Sequence, residues 1–244
     1  LDTAHGPIPG DTATAVDRTP VQALGVRSLR ALALLALMAC SENCRPLPTA
    51  REFSDTAAAR WRLYASTVRI RVQCADGSGG SGSGVAVSPR HVLTARHVID
   101  ACEGEPWVIT ASLYDRKASA EMVVERISDT TDAARLVVVG LEEPFRYWAD
   151  AAATDARAGD LVCASAFDPE FFIFQCGYVT GAYDSLVFLG FRIVGGNSGA
   201  PIFRDGQLVA LVVARSSNPA RQYIGMAVPL SAWRDLLPPP EAAL

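Results

Sequence analysis

From Thr67 onward the chain breaks into short runs in which apolar and polar residues alternate, each bounded by Gly, Pro, Asp or Ser. Thr67 to Cys74 is the clearest: Val68, Ile70 and Val72 fall on one side of an extended chain, Arg69, Arg71 and Gln73 on the other. A period of two is that of a half-buried strand. Further runs of this kind span Val85 to Ser88, His91 to Thr94, Trp107 to Leu113, Glu121 to Ile127, Leu136 to Gly140, Leu161 to Ala166, Phe171 to Thr180, Leu186 to Phe191, Pro201 to Phe203, Leu208 to Ala214 and Tyr223 to Val228. So many short strands can bury their apolar faces only in a sandwich or a barrel. Pro229 to Leu237 is amphipathic and is expected to form a short closing helix, ended by Pro238-Pro239-Pro240. No repeat of solenoid length is present.

The segments before this region have a different character. Residues 1–25 are rich in Ala, Thr, Pro, Gly and Asp, with too little apolar periodicity to offset ordering entropy, and are expected to be disordered or absent from the mature protein. Residues 26–40 carry Arg27 and Arg30 ahead of an apolar core, Ala31 to Ala39, too short to span a bilayer and ending in a small residue before Cys40. That is the pattern of an export signal, with Val26 as an alternative start of the chain. The Leu37-Met38-Ala39-Cys40 end resembles a bacterial lipoprotein signal, in which Cys40 would be lipidated; an ordinary cleaved signal or an uncleaved anchor are the alternatives. Residues 41–66 read as a Pro-containing linker with helical composition from Asp55 to Tyr64, residues 67–236 as the folded region with a midpoint near 145–158, and residues 237–244 as a tail.

The chain has 244 residues, 20% of them charged, and a formal charge of -4, with no run of Lys or Arg. Nucleic acid and anionic membrane surfaces are therefore not expected partners, a lipid anchor at Cys40 aside. Six Cys in an exported chain point to disulfides, and the favoured pairings are Cys74 with Cys102 and Cys163 with Cys176. Lipidation of Cys40 would leave Cys44 over. No Cys-x-x-Cys pair occurs and the three His stand apart from the Cys, so neither metal nor cofactor is expected.

Three patterns occur in a fixed order: Gly82-Ser83-Gly84-Val85 through Leu93-Thr94-Ala95-Arg96-His97-Val98, then Thr131-Asp132-Ala133-Ala134-Arg135-Leu136, then Gly195-Gly196-Asn197-Ser198-Gly199-Ala200-Pro201. A Gly-Asn-Ser-Gly alone is usually only a turn. The Gly-rich Asp76 to Gly84 stretch lacks the Lys-Ser/Thr end of a phosphate loop and leads into a strand, so it reads as a flexible hairpin.

Taken together, the three patterns resemble the His, Asp and Ser blocks of trypsin-like serine proteases, closest to the bacterial HtrA-like branch, over Thr67 to Leu236. The resemblance implies an all-β fold of two antiparallel barrels with a short C-terminal helix, and an endopeptidase acting on protein or peptide substrates through an acyl-enzyme. The order His, Asp, Ser is that of the chymotrypsin fold. A serine hydroxyl is a weak nucleophile that needs an imidazole to take its proton and a carboxylate to hold the useful tautomer. Ser198 is then the nucleophile, His97 the base and Asp132 its orienting group. Gly196 and Ser198 are the expected oxyanion-hole donors. His91, beside an expected hairpin turn at Ser88-Pro89-Arg90, is taken as structural. Asp129 competes with Asp132, and Arg135 stands where the family carries an apolar residue.

By the same resemblance Arg192 lies at the base of the specificity pocket, with Val213, Ala214, Arg215 and Gly225 forming its walls and the substrate-pairing edge. The alternative has Arg192 in solvent and the pocket lined by Ile193 and Met226, favouring small aliphatic residues. A C-terminal PDZ domain is not expected. Asn197 replaces the Asp that pairs with a new amino terminus in the digestive branch, so activation by cleavage is not expected either. An inactive binding protein on the same fold and an esterase using the same acyl chemistry are the rival functions.

Overall fold

The computed structural model describes residues 61, 63–102, 104, 108–113, 119–140, 142–168, 171–183, 185–215 and 224–239, and among them the alternating runs become twelve strands. The expected 1–25 extension, the export signal with Cys40, Cys44, the linker up to residue 60, Trp107, Tyr223 and the tail from residue 240 lie outside the described residues. Strands β1 (Thr67–Gln73), β2 (Gly79–Ala86), β3 (His91–Thr94), β4 (Val108–Leu113), β5 (Ser119–Ile127) and β6 (Ala134–Val138) close an antiparallel barrel in the order β1-β2-β3-β6-β5-β4. A second closed barrel, β10-β11-β12-β9-β8-β7, is built from β7 (Leu161–Asp168), β8 (Phe171–Tyr183), β9 (Leu186–Leu189), β10 (Pro201–Arg204), β11 (Gln207–Arg215) and β12 (Gly225–Pro229). Closure leaves neither sheet with an unpaired edge. This is the chymotrypsin-like architecture.

Burial follows the sequence alternation. In β1, Val68, Ile70 and Val72 are buried while Arg71 and Gln73 are exposed; in β6, Ala134, Leu136 and Val138 point inward. Arg135 therefore faces outward. Its guanidinium lies 2.6 Å from Glu125 Oε2, as an ion pair without an aligned hydrogen bond, and its Nη1 donates to the Leu236 carbonyl at 3.0 Å. A cation at this position thus ties the first barrel to the C-terminal segment, which is why an apolar residue is not required there.

One expectation is corrected. The Gly-rich stretch is not a flexible hairpin: Gly79–Ala86 is a strand, paired with β1 from Gly79 to Val85, and only the turn from Cys74 to Ser78 is hairpin loop. Its glycines are demanded by packing. A Cβ on Gly82 would come within 2.6 Å of Val98 Cγ2 and 2.9 Å of the Ser198 carbonyl, and one on Gly84 within 2.8 Å of the Leu93 carbonyl. The expected short C-terminal helix takes the form of two consecutive 3₁₀ turns, Leu230–Ala232 and Arg234–Leu236. Leu230, Trp233 and Leu236 are all fully buried, and their spacing of three is the 3₁₀ period. The Trp233 indole N–H, donating to the Val228 carbonyl at 3.1 Å, holds the turns against β12.

Before β1, residues 63–66 close a helical turn whose end is fixed by the Ser66 and Thr67 hydroxyls, donating to the Leu63 carbonyl at 3.0 and 2.8 Å. Between the barrels, Arg204 donates to the carbonyls of Thr154 and Asp155 and to Asp160 Oδ2, fastening the connection to the second barrel.

Candidate active site

β3 delivers the chain into a one-turn helix, Arg96–Ile99, whose buried Val98 and Ile99 seat it on the first barrel and leave His97 half exposed. Asp132 comes from the loop between β5 and β6. That loop is braced from within: the Ser128 side-chain oxygen accepts from the backbone N–H groups of Thr130 and Thr131 and from the Thr131 hydroxyl. Asp132 then makes a two-point contact with the histidine, Oδ1 accepting from the His97 backbone N–H at 2.9 Å and Oδ2 lying 2.6 Å from Nδ1. Asp129 lines the same cleft, with Arg96, Asp100, Thr130 and Thr131, but does not bond the imidazole. His91 is engaged elsewhere, its Nδ1 2.7 Å from Ser88 Oγ and its Nε2 3.4 Å from Glu125.

The electrostatics of the pair follow from the contact. The hydrogen bond that His97 donates to Asp132 raises the His97 pKa above its ordinary value; burial opposes the shift, and the Asp132 and Asp100 charges add to it. For Asp132, burial works to raise the pKa, but the ring and backbone N–H groups of His97 outweigh it and hold the carboxyl below the usual range. The carboxylate is thus ionised at neutral pH, and in the neutral imidazole the contact favours the tautomer with its proton on Nδ1.

Ser198 sits between β9 and β10 of the second barrel, in a loop held by its own amides. Asn197 is fully buried; its Oδ1 accepts from the Val194 N–H at 2.8 Å, and its N–H donates to the Val194 carbonyl at 3.2 Å. Gly196 has φ +85°, in the left-handed region that favours glycine. Gly199, at φ +80°, brings its backbone against Ser83 and Thr94, so closely that a Cβ would overlap the Ser83 carbonyl. The Ser198 carbonyl accepts from the Ser83 N–H at 2.8 Å. These approaches set the Ser198 loop against the Thr94 to Val98 segment, with Gly82 between Val98 and Ser198. Among the described residues, the Ser198 hydroxyl is hydrogen-bonded to none, His97 included, and the Gly196 and Ser198 N–H groups donate to no protein acceptor.

Of the expected pocket residues, Arg192 is exposed, and its carbonyl accepts from Gln175 Nε2 at 2.7 Å. Ile193 is buried, at 3% exposure, and packs so tightly on the Gly225 backbone that a Cβ there would overlap it. Val213 is buried, Ala214 and Met226 are half-buried, and the Arg215 side chain lies outside the described residues. Both disulfides are present: Cys74–Cys102 ties the end of β1 to the chain just after the His97 helix, and Cys163–Cys176 joins facing residues of β7 and β8. Ser83, inside the Gly-Ser-Gly-Val pattern, was not among the expected site residues, although a polar residue between two strand glycines was a visible signal. Among the described residues no cluster of His, Cys, Asp or Glu could hold a metal, and no helix is long and apolar enough to cross a membrane.

Residues 82–211, more than half of the chain, match the family model of the trypsin-like peptidase domain. Among solved structures, the active form of the Rv3671c protease from M. tuberculosis is similar over 73% of this chain and 82% of its own, at 20% identity and a TM-score of 0.63. Its inactive form gives 21% identity and a TM-score of 0.60 over 75% and 92%. The HtrA-type protease AlgW with tripeptide gives 20% and 0.62 over 73% of this chain and 61% of that one. At these identities the likeness is one of fold. No curated protein sequence matches the chain.

Proposed function

The chain belongs to the trypsin-like peptidases and is a serine peptidase, and from that premise we propose that it is an exported endopeptidase with Ser198, His97 and Asp132 as its triad. The observation that carries this reading is the two-point contact of Asp132 on His97, which commits Nδ1 to the carboxylate and so supports Nε2 as the nitrogen that serves the nucleophile. Ser198 Oγ attacks the scissile carbonyl carbon as its proton passes to His97 Nε2, and the carbonyl π-electrons move to oxygen. The N–H groups of Gly196 and Ser198 receive that oxyanion; one such donor is typically worth about 3 kcal/mol. Collapse breaks the C–N bond, and the amine leaves with the proton held by His97. Water then repeats the sequence on the acyl-enzyme and frees Ser198. The His97–Ser198 hydrogen bond is expected to form when substrate fills the cleft, as catalytic contacts often tighten only in the complex.

The buried Ile193 against Gly225, with Arg192 in solvent, supports a shallow apolar pocket that takes small aliphatic residues. The two disulfides fit an extracytoplasmic protein. Lipidation at Cys40 is the finer form of that reading. Mass-spectrometric profiling of a peptide library with wild type and Ser198→Ala, beside a panel of short-chain nitrophenyl esters, tests the function. Endoproteolytic cleavage after small aliphatic residues, lost in the variant, is expected. Ester hydrolysis without peptide cleavage would favour the esterase, and neither activity would favour a binding protein.

A further inference from the structure

Ser83 lies between two glycines of β2 and is fully buried. Because side chains alternate along a strand, it points away from the face of Gly82 and Gly84 and toward the second barrel. Its hydroxyl donates to the Gly196 carbonyl at 2.8 Å and accepts from the Phe167 N–H of β7 at 2.8 Å. Its N–H donates to the Ser198 carbonyl at 2.8 Å, and its own carbonyl accepts from Thr94 Oγ1 of β3 at 2.7 Å. One residue of the first barrel therefore holds two carbonyls of the Ser198 loop, the strand leading to His97 and a strand of the second barrel.

We propose that Ser83 is a positioning residue for oxyanion stabilisation, an inference that rests on the assignment of Ser198 as nucleophile. Three consecutive peptide units run from Gly196 to Gly199. The carbonyl of the first is held by the Ser83 hydroxyl, that of the second, at Asn197, by the Ala200 N–H at 2.9 Å, and that of the third, at Ser198, by the Ser83 N–H. A peptide unit is planar, with its N–H opposite its C=O, so holding the carbonyl aims the amide. The Ser198 N–H belongs to the middle unit and is trapped between two units gripped by Ser83. Gly196, the other donor residue, is fixed at its carbonyl end by the same hydroxyl. Without that hydroxyl the left-handed Gly196 is free to rotate, and its N–H no longer points reliably at the developing charge.

The test is steady-state kinetics on purified Ser83→Ala and Ser83→Thr, with Ser198→Ala as control and folding followed by thermal unfolding. Loss of a donor outright typically lowers kcat by 10²–10³; loosening one should lower it by about 10-fold to 100-fold in Ser83→Ala. KM should stay within about two-fold, and a peptidyl trifluoromethyl ketone, whose hemiketal oxyanion needs the hole, should weaken by the same factor as kcat. The acidic limb of the pH profile, set by His97, should not move. Ser83→Thr, which keeps the hydroxyl, should recover most of the rate. If Ser83→Ala does not fold, the nearly isosteric Ser83→Cys, a weak donor, carries the same comparison. A kcat within two-fold of wild type, or a loss in kcat with no matching loss in ketone affinity, would overturn the proposal. So would failure of both variants to fold, which would make Ser83 a stability residue. Turnover by Ser198→Ala would sink the triad reading itself, whereas an inert Ser198→Ala with unaffected Ser83→Ala removes only this inference.

Discussion

Replacing both Cys74 and Cys102 by Ala should destabilise the protein far more than it slows it. The bridge closes a loop with a sequence separation of 28 that contains all of β2, β3 and the helix bearing His97. In the chain-entropy treatment such a loop restricts the unfolded chain by roughly 12 cal/mol/K, or about 3.6 kcal/mol at 25 °C. For a domain of this size each kcal/mol moves Tm by about 2–4 °C, so a drop of about 7–14 °C is expected. The active site should barely notice at 25 °C. His97 is held by Asp132 at two points and by Val98 and Ile99 in the core, none of which involves the sulfurs. Differential scanning calorimetry of wild type and the double variant at pH 7, with kcat measured well below both transitions, separates the two effects. A Tm drop smaller than about 3 °C would refute the loop-entropy reasoning, and a tenfold loss of kcat in the folded variant would refute the independence of the His97 helix.

The His97 pKa is raised, and the base must be neutral, so kcat/KM should rise with pH through a value above the ordinary imidazole pKa of about 6.5. Asp132→Asn removes the main cause of that shift: the acidic limb should move to lower pH and the plateau fall by about 10⁴, and a limb that stays in place contradicts the assignment. Asn197 already anchors the loop through Val194 without any charged terminus, so protein expressed from Ser54 with a non-removable amino-terminal extension should be active; activity that appears only after proteolysis frees a terminus near Thr67 would reverse this. For Asp160, burial raises the pKa, but the Arg157 N–H and Arg204 outweigh it and lower it overall. A depressed carboxyl stabilises the fold above its unfolded pKa of about 4 and loses that contribution as pH falls through the folded value. The stability gap between wild type and Asp160→Asn should therefore be constant from pH 5 to 7 and shrink below about pH 4; a gap independent of pH would exclude the Arg204 pairing as its source.

Much of this fold was legible because its strands alternate so regularly: Val68, Ile70 and Val72 announce a buried face, and β3 begins and ends where the pattern does. What escaped was set by contacts distant in sequence. Gly79 to Gly84 look like loop because glycine is poor at filling a strand, yet a side chain at Gly82 is excluded by Val98 and by the Ser198 carbonyl, the latter far along the chain in the loop of the second barrel. Ser83 reads as one more small polar residue in that stretch, and its role depends on Gly196 and Phe167, 113 and 84 residues away. The 3₁₀ ending was visible in the spacing of Leu230, Trp233 and Leu236, but an amphipathic nine-residue stretch looks equally like an α-helix. Arg192 and Ile193 could not be told apart as pocket residues, since adjacent loop residues face opposite ways only once the backbone is known.

Ser198, as the nucleophile activated by His97, should be the one serine that an electrophilic phosphonate captures. Fluorophosphonate labelling of the purified protein, followed by peptide mass spectrometry of the adduct, tests it most directly. A single phosphonyl adduct on Ser198 is expected in wild type, with none in His97→Ala or Ser198→Ala, and loss of peptide hydrolysis in step with labelling. An adduct on another residue, or full peptide hydrolysis by Ser198→Ala, would contradict it.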